Sequence, residues 1–73
     1  MSKLNMWLYE PQNACEEYLV GSDAETIIQT LAHTHGRISS IFDPVLETYA
    51  IRRLSKMGER GAYIGRIFEP RRV

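Results

Sequence analysis

One cysteine, three prolines and no surplus of charge of either sign leave several protein classes without support in this 73-residue chain. Cys15 stands alone, so no internal disulfide can form; this removes the secreted mini-protein class and fits a reducing compartment. No apolar run approaches the roughly 20 residues needed to cross a bilayer, and the amino end lacks a charged start followed by an apolar signal core. The expectation is a protein that stays in the cytoplasm, without a membrane partner. There is no internal repeat, linker, low-complexity tract or glycine-rich phosphate loop. What is there is 44% apolar and 25% charged, which excludes a disordered polyelectrolyte. A chain of this size buries roughly 60% of its unfolded surface, a marginal core to whose working stability a bound partner can contribute.

The zero net charge conceals an asymmetry. Residues 1–36 carry one basic and five acidic side chains, and residues 37–73 carry eight basic and four acidic, so the halves net −4 and +4. Such a sequence dipole can orient the chain against a charged surface, or the halves can attract each other through weak surface pairs.

Leu4 to Tyr9 reads as a strand with Leu4, Met6 and Leu8 on one side and Trp7 and Tyr9 on the other. After a break at Pro11 to Asn13, Cys15 to Val20 offers a weaker second strand, interrupted by Glu16 and Glu17. Ser22 followed three residues later by Glu25 reads as a capping box. Ala24, Ile27, Ile28, Leu31 and Ala32 then recur at helical spacing and Gly36 supplies the stop, so a helix is predicted over about 23–35. Ile38 to Phe42 reads as a strand or extended connector. Asp43 and Pro44, followed by Leu46, Ala50, Leu54 and Met57 on one face, favour a second helix over about 44–57. The alternative is a strand pairing with residues 62–68, since Thr48, Tyr49 and Ile51 suit a sheet. Gly61 to Glu69 reads as a closing strand. The expected fold is α+β: one domain over 1–69, with an antiparallel sheet of two to four strands packed on the helix, and a frayed basic tail over 70–73.

Catalysis needs a nucleophile, base or metal held by neighbours, and the candidates do not assemble. His33 and His35 are two apart, about 200° around a helix, which makes a shared metal ion awkward. Cys15 has no sequence-near base, and Glu16 and Glu17 would point to opposite faces of a strand. No enzyme, cofactor, metal site or small-molecule substrate is expected.

Arg52, Arg53, Lys56, Arg60, Arg66, Arg71 and Arg72 gather in the last 22 residues beside Tyr49, Tyr63 and Phe68. Arg60–Gly61 followed by Tyr63 matches the opening of the strand motif of RNA-recognition sheets, but Ala62 and Ile67 stand where that motif wants aromatics. An RNA- or DNA-binding domain is therefore the alternative reading, and zero net charge weighs against stand-alone duplex binding. A protein-binding module fits better. Its candidate contacts are Trp7, Tyr9, Arg52, Arg53, Lys56, Arg60, Arg66, Arg71 and Arg72, because aromatics and arginine carry most interface energy. Core packing is the competing reading for Trp7.

Taken whole, from Met1-Ser-Lys-Leu-Asn-Met-Trp-Leu-Tyr-Glu to Ala62-Tyr-Ile-Gly-Arg-Ile-Phe-Glu-Pro-Arg-Arg-Val73, the chain resembles the small RNA-polymerase-binding transcription regulators of lytic Xanthomonas phages. The resemblance spans the full length and rests on general likeness rather than a signature motif. It implies binding to the host RNA polymerase through the amino-terminal region of the β′ subunit, with contact to β. Displacement of the σ factor, blocked initiation and read-through of intrinsic terminators would follow. The partner expectations are the β′ and β subunits, with nascent RNA or nearby DNA within reach of the Arg-rich half, for a protein that is monomeric when free and works in the host cytoplasm.

Overall fold

The computed structural model describes residues 6–54 and 61–70. The expectations for Leu4, Lys56, Met57, Arg60, Arg71 and Arg72 fall outside these residues. Strands β1 (Trp7–Pro11) and β2 (Leu19–Gly21) precede helix α1 (Ala24–His35), and β3 (Ile38–Asp43), β4 (Thr48–Arg53) and β5 (Ala62–Phe68) follow it. All strands join one antiparallel sheet in the order β2-β1-β5-β4-β3. The α+β class is as expected, but the sheet has five strands rather than two to four.

The fifth strand is the stretch 48–53, where the spacing favoured a second helix. Asp43 and Pro44 do supply the chemistry of a helix start, but that chemistry closes a hairpin instead. The Asp43 Oδ1 accepts hydrogen bonds from the backbone N–H groups of Val45 (2.9 Å) and Leu46 (3.3 Å), and Glu47, at φ 57°, donates to the Asp43 carbonyl at 2.7 Å. Beyond the turn, Tyr49 and Ile51 face α1 while Thr48 and Ala50 face away, a period of two that satisfies β-branched and aromatic side chains. The alternative pairing with 62–68 is the one observed.

Helix α1 begins and ends close to the expected positions, with the cap moved by one residue. Asp23, not Ser22, is the N-cap: its Oδ1 accepts the Thr26 N–H at 2.8 Å, and this bond to an orphan amide holds the Asp23 carboxyl below its ordinary value of 3.8. A depressed folded-state value contributes stability above pH 3.8, which is lost as pH falls through the lower folded value. Asp23→Ala is accordingly expected to melt earlier than wild type at neutral pH, the two melting curves converging on acidification. At the other end Gly36, at φ 86°, donates its N–H to the Ala32 carbonyl (2.8 Å) and turns the chain into β3.

Ala24, Ile27 and Leu31 of α1 meet Tyr9, Ile51, Ile64 and Ile67 of the sheet, with Trp7, Leu19, Ile28, Ile38 and Tyr49 packed around them. Tyr9 sits at the centre, 1% exposed, its hydroxyl donating to the Ile64 carbonyl at 2.9 Å. Its ring lies over Gly65, where the absent side chain leaves room for it. The ladder between β4 and β5 shifts register at Ile51/Arg52, so β5 contributes both Ile64 and Ile67 to the core.

Candidate functional site

Because paired residues of an antiparallel sheet share a face, the registers place every strand residue relative to α1. Leu19, Tyr9, Ile67, Tyr49 and Phe42 form one row on the helix side. Val20, Leu8, Phe68, Thr48 and Asp43 form a row on the opposite side, flanked by Glu10, Arg66, Ala50 and Ile41. No helix covers this second face among the described residues. It presents apolar side chains to solvent: Val20 is 62% exposed and Ile41 63%, with Leu8 and Phe68 half-buried between them. Arg66 lies near the middle. Its Nε donates to Glu10 Oε1 at 2.7 Å and its guanidinium stands 4.7 Å from the Phe68 ring centre. Next to the Ile51/Arg52 register shift, Arg52 donates through Nη1 to the Gly61 carbonyl at 3.2 Å.

The sequence-predicted contact residues are divided by this arrangement. Arg52 and Arg66 share the open face, whereas Arg53 is exposed at the end of β4 and lines a cleft between the β1–β2 connection and the start of β5. Trp7 is half-buried, its ring edge-on to Tyr49 at 5.9 Å, and Tyr49 in turn meets Phe42 at 4.9 Å. Tyr9 is a core residue rather than an exposed anchor. Burial, reinforced by the nearby Glu16 carboxylate, pushes its phenol up to about 12, so it keeps its proton at neutral pH. Val20, Ile41 and Leu8 were not singled out as surface residues from the sequence and Phe68 was noted only as an aromatic beside the arginines, although the alternation Met6, Leu8 against Trp7, Tyr9 did separate the two sides of β1.

The charge halves lie side by side in the sheet. β1 and β2 come from the acidic half and β3, β4 and β5 from the basic half, with Glu10 and Arg66 meeting at the seam. Glu17, Asp23 and Glu25 lie in the β1–β2 connection and at the start of α1, while Glu16 lines one cleft together with Arg53. Among the described residues, Glu10–Arg66 is the one arginine–carboxylate pair joining the halves.

The cleft between the β1–β2 connection and the start of β5, about 310 Å³, is lined by Gln12, Asn13, Glu16, Arg53 and Tyr63 among others. His35 Nε2 stands 3.8 Å from Glu16 Oε1, Cys15 is exposed, and no set of three metal-ligating side chains converges among the described residues. No helix among the described residues is long and apolar enough to cross a membrane. Comparison with protein-family models, curated proteins and solved structures finds no match.

Proposed function

We propose that this protein is a phage regulator that works by docking on the host bacterial RNA polymerase in the host cytoplasm. It engages the amino-terminal region of β′ with further contact to β, displaces the σ factor to block initiation, and promotes read-through of intrinsic terminators. The resemblance of the whole chain supplies the partner. The observation that supports protein docking is the uncovered sheet face, where exposed Val20 and Ile41 flank half-buried Leu8 and Phe68 around a central arginine. An apolar centre with arginine and an aromatic is the composition of binding hot spots. The acidic residues Glu17, Asp23 and Glu25 of the β1–β2 connection and the start of α1, and the arginines of β4 and β5, give the same module two unlike regions with which to touch two subunits at once.

The same face is poorly suited to nucleic acid. Glu10 already answers the charge of Arg66, and the guanidinium lies over the Phe68 ring on which a base would have to stack.

The test is co-purification with core polymerase and holoenzyme, followed by transcription from a σ-dependent promoter and across a hairpin terminator. Loss of σ and read-through are expected with the wild type. Val20→Asp combined with Arg66→Ser should keep the fold and weaken polymerase retention about tenfold or more, the size of a lost hot spot. Retained σ with normal termination overturns the proposal. Steeply salt-dependent binding to short single-stranded RNA, without polymerase binding, would establish the nucleic-acid reading instead.

A further inference from the structure

Strand β3 closes the sheet on one side, and its outer edge has no neighbour among the described residues. Leu54 donates its N–H to the Arg37 carbonyl at 2.9 Å, which fixes the phase of the β3–β4 ladder. Alternate residues of an antiparallel strand aim their amides to the same side, so Arg37, Ser39, Ile41 and Asp43 are bonded inward to β4. The N–H and C=O groups of Ile38, Ser40 and Phe42 point outward, without a backbone partner among the described residues. Exposed edges of this kind are normally blunted by proline, lysine, a bulge or a very short strand. Ile38-Ser-Ser-Ile-Phe-Asp43 has six residues and none of those devices, and Phe42 (46% exposed) and Ile41 bring apolar side chains to it.

We infer that β3 pairs antiparallel with β3 of a second copy of this chain, about a two-fold axis through Ser40. The pairing must match outward amides with outward amides and keep each side chain on its own face, which restricts it to registers in which a residue faces a partner of like parity. With Ser40 opposite its own copy, Ile38 faces Phe42 of the copy on the helix side, joining two apolar residues, and Ser39 faces Ile41 on the open side. The same register sets Arg37 opposite Asp43 of the copy at both ends, so the only charged residues bordering the strand meet as opposite pairs. This charge match selects a second copy over an arbitrary extended peptide. The six-residue edge is small beside a standard interface, so the dimer is weak, with a dissociation constant of about 10 µM to 1 mM. Both open faces end up on the same side of a continuous ten-stranded sheet.

Sedimentation velocity of the full chain over a concentration series, with amide hydrogen exchange read by NMR, tests the inference. Concentration-dependent dimer is expected, with exchange slowing as concentration rises at Ile38, Ser40 and Phe42, while the Ser39 and Ile41 amides are protected throughout. Ser40→Pro removes an outward N–H and no inward bond, and Arg37→Glu places like charges at both ends; each should weaken association at least tenfold. If Ser40→Pro fails to fold by circular dichroism, Arg37→Glu, at an exposed position before the strand, decides alone. A wild type that remains monomeric at about 2 mM, above the expected range, overturns the inference. So does a dimer that leaves the three outward amides unchanged, or protection at those amides that arises only when core polymerase is added.

Discussion

Tyr9→Ala is expected to cost about 3–5 kcal/mol, as truncation of buried aromatic rings generally does, and to leave the chain largely unfolded at physiological temperature. A domain of this length has about 4–11 kcal/mol in total, so the loss removes roughly a quarter of it or more. The ring is fully buried among Ile27, Leu31, Ile51 and Ile67, and no other large side chain can move into the space above Gly65. Tyr9→Phe separates the ring from the hydroxyl. The Ile64 carbonyl that accepts from the hydroxyl also accepts the Gln12 N–H at 2.9 Å, so it keeps a partner, and the loss should be only about 1 kcal/mol. The two variants also differ in alkali. A phenol raised from 10 to about 12 favours the folded state fully below pH 10, and that contribution disappears as pH rises through 12. Urea unfolding at a series of pH values should show wild-type stability falling between pH 10 and 12, with a shallower fall in Tyr9→Phe. A loss below about 2 kcal/mol for Tyr9→Ala would mean that the ring does not organise the core.

The reciprocal position gives the second large effect. A methyl group on Gly65 would sit 2.6 Å from the Glu10 carbonyl oxygen and 2.6 Å from Cε1 of Tyr9, between one strand's backbone and the central ring. Neither can retreat freely, because β1 is bonded to β5 through this register and the ring is enclosed. Gly65→Ala should therefore cost about 1–3 kcal/mol, and Gly65→Val more. The penalty is shared with Tyr9: in a Tyr9→Leu background, Gly65→Ala should cost less than in wild type, leaving the clash with the Glu10 carbonyl. Additivity in that double-mutant cycle, measured by urea unfolding, would refute the packing of ring on glycine. Gly36→Ala is the contrast, since nothing lies within 4 Å of the added carbon and only the positive φ resists it.

Elements whose signals are local were legible in the sequence. The 3.6-residue recurrence from Ala24 to Ala32 and the stop at Gly36 located α1, strand-forming residues divided between two sides located β1, and a run apolar on both faces except for Arg66 located β5. The cap slipped by one because Ser22 and Asp23 are both competent acceptors, and only the backbone's departure from helical geometry at Asp23 (φ −151°, ψ 167°) decides between them. The stretch 44–57 was misassigned because a carboxylate before proline satisfies free amides equally well in a hairpin turn and in a helix's first turn. Leu46, Ala50 and Leu54 then imitate a helical stripe, although Leu46 is exposed in the turn and Ala50 lies on the open face. Pairing partners decide such a segment, and those are distant in sequence. The candidate surface was legible in chemistry but not in place. Arg52 and Arg66 were identified from composition, yet whether they share a face depends on the register shift between β4 and β5, which carries no local signature. Tyr9 was placed among binding residues because burial on one side of a strand is decided by where the helix lands.

The last of the described strands in chain order, β5, lies in the interior of the sheet, held by β1 on one flank and β4 on the other. Before residues 62–68 are present, the hairpin of β3 and β4 and the pair β1–β2 share no ladder, and only packing against α1 links them. A chain interrupted before β5 would thus hold two strand pairs without a common ladder, so the continuous sheet and its open face arise only once that long-range pairing forms.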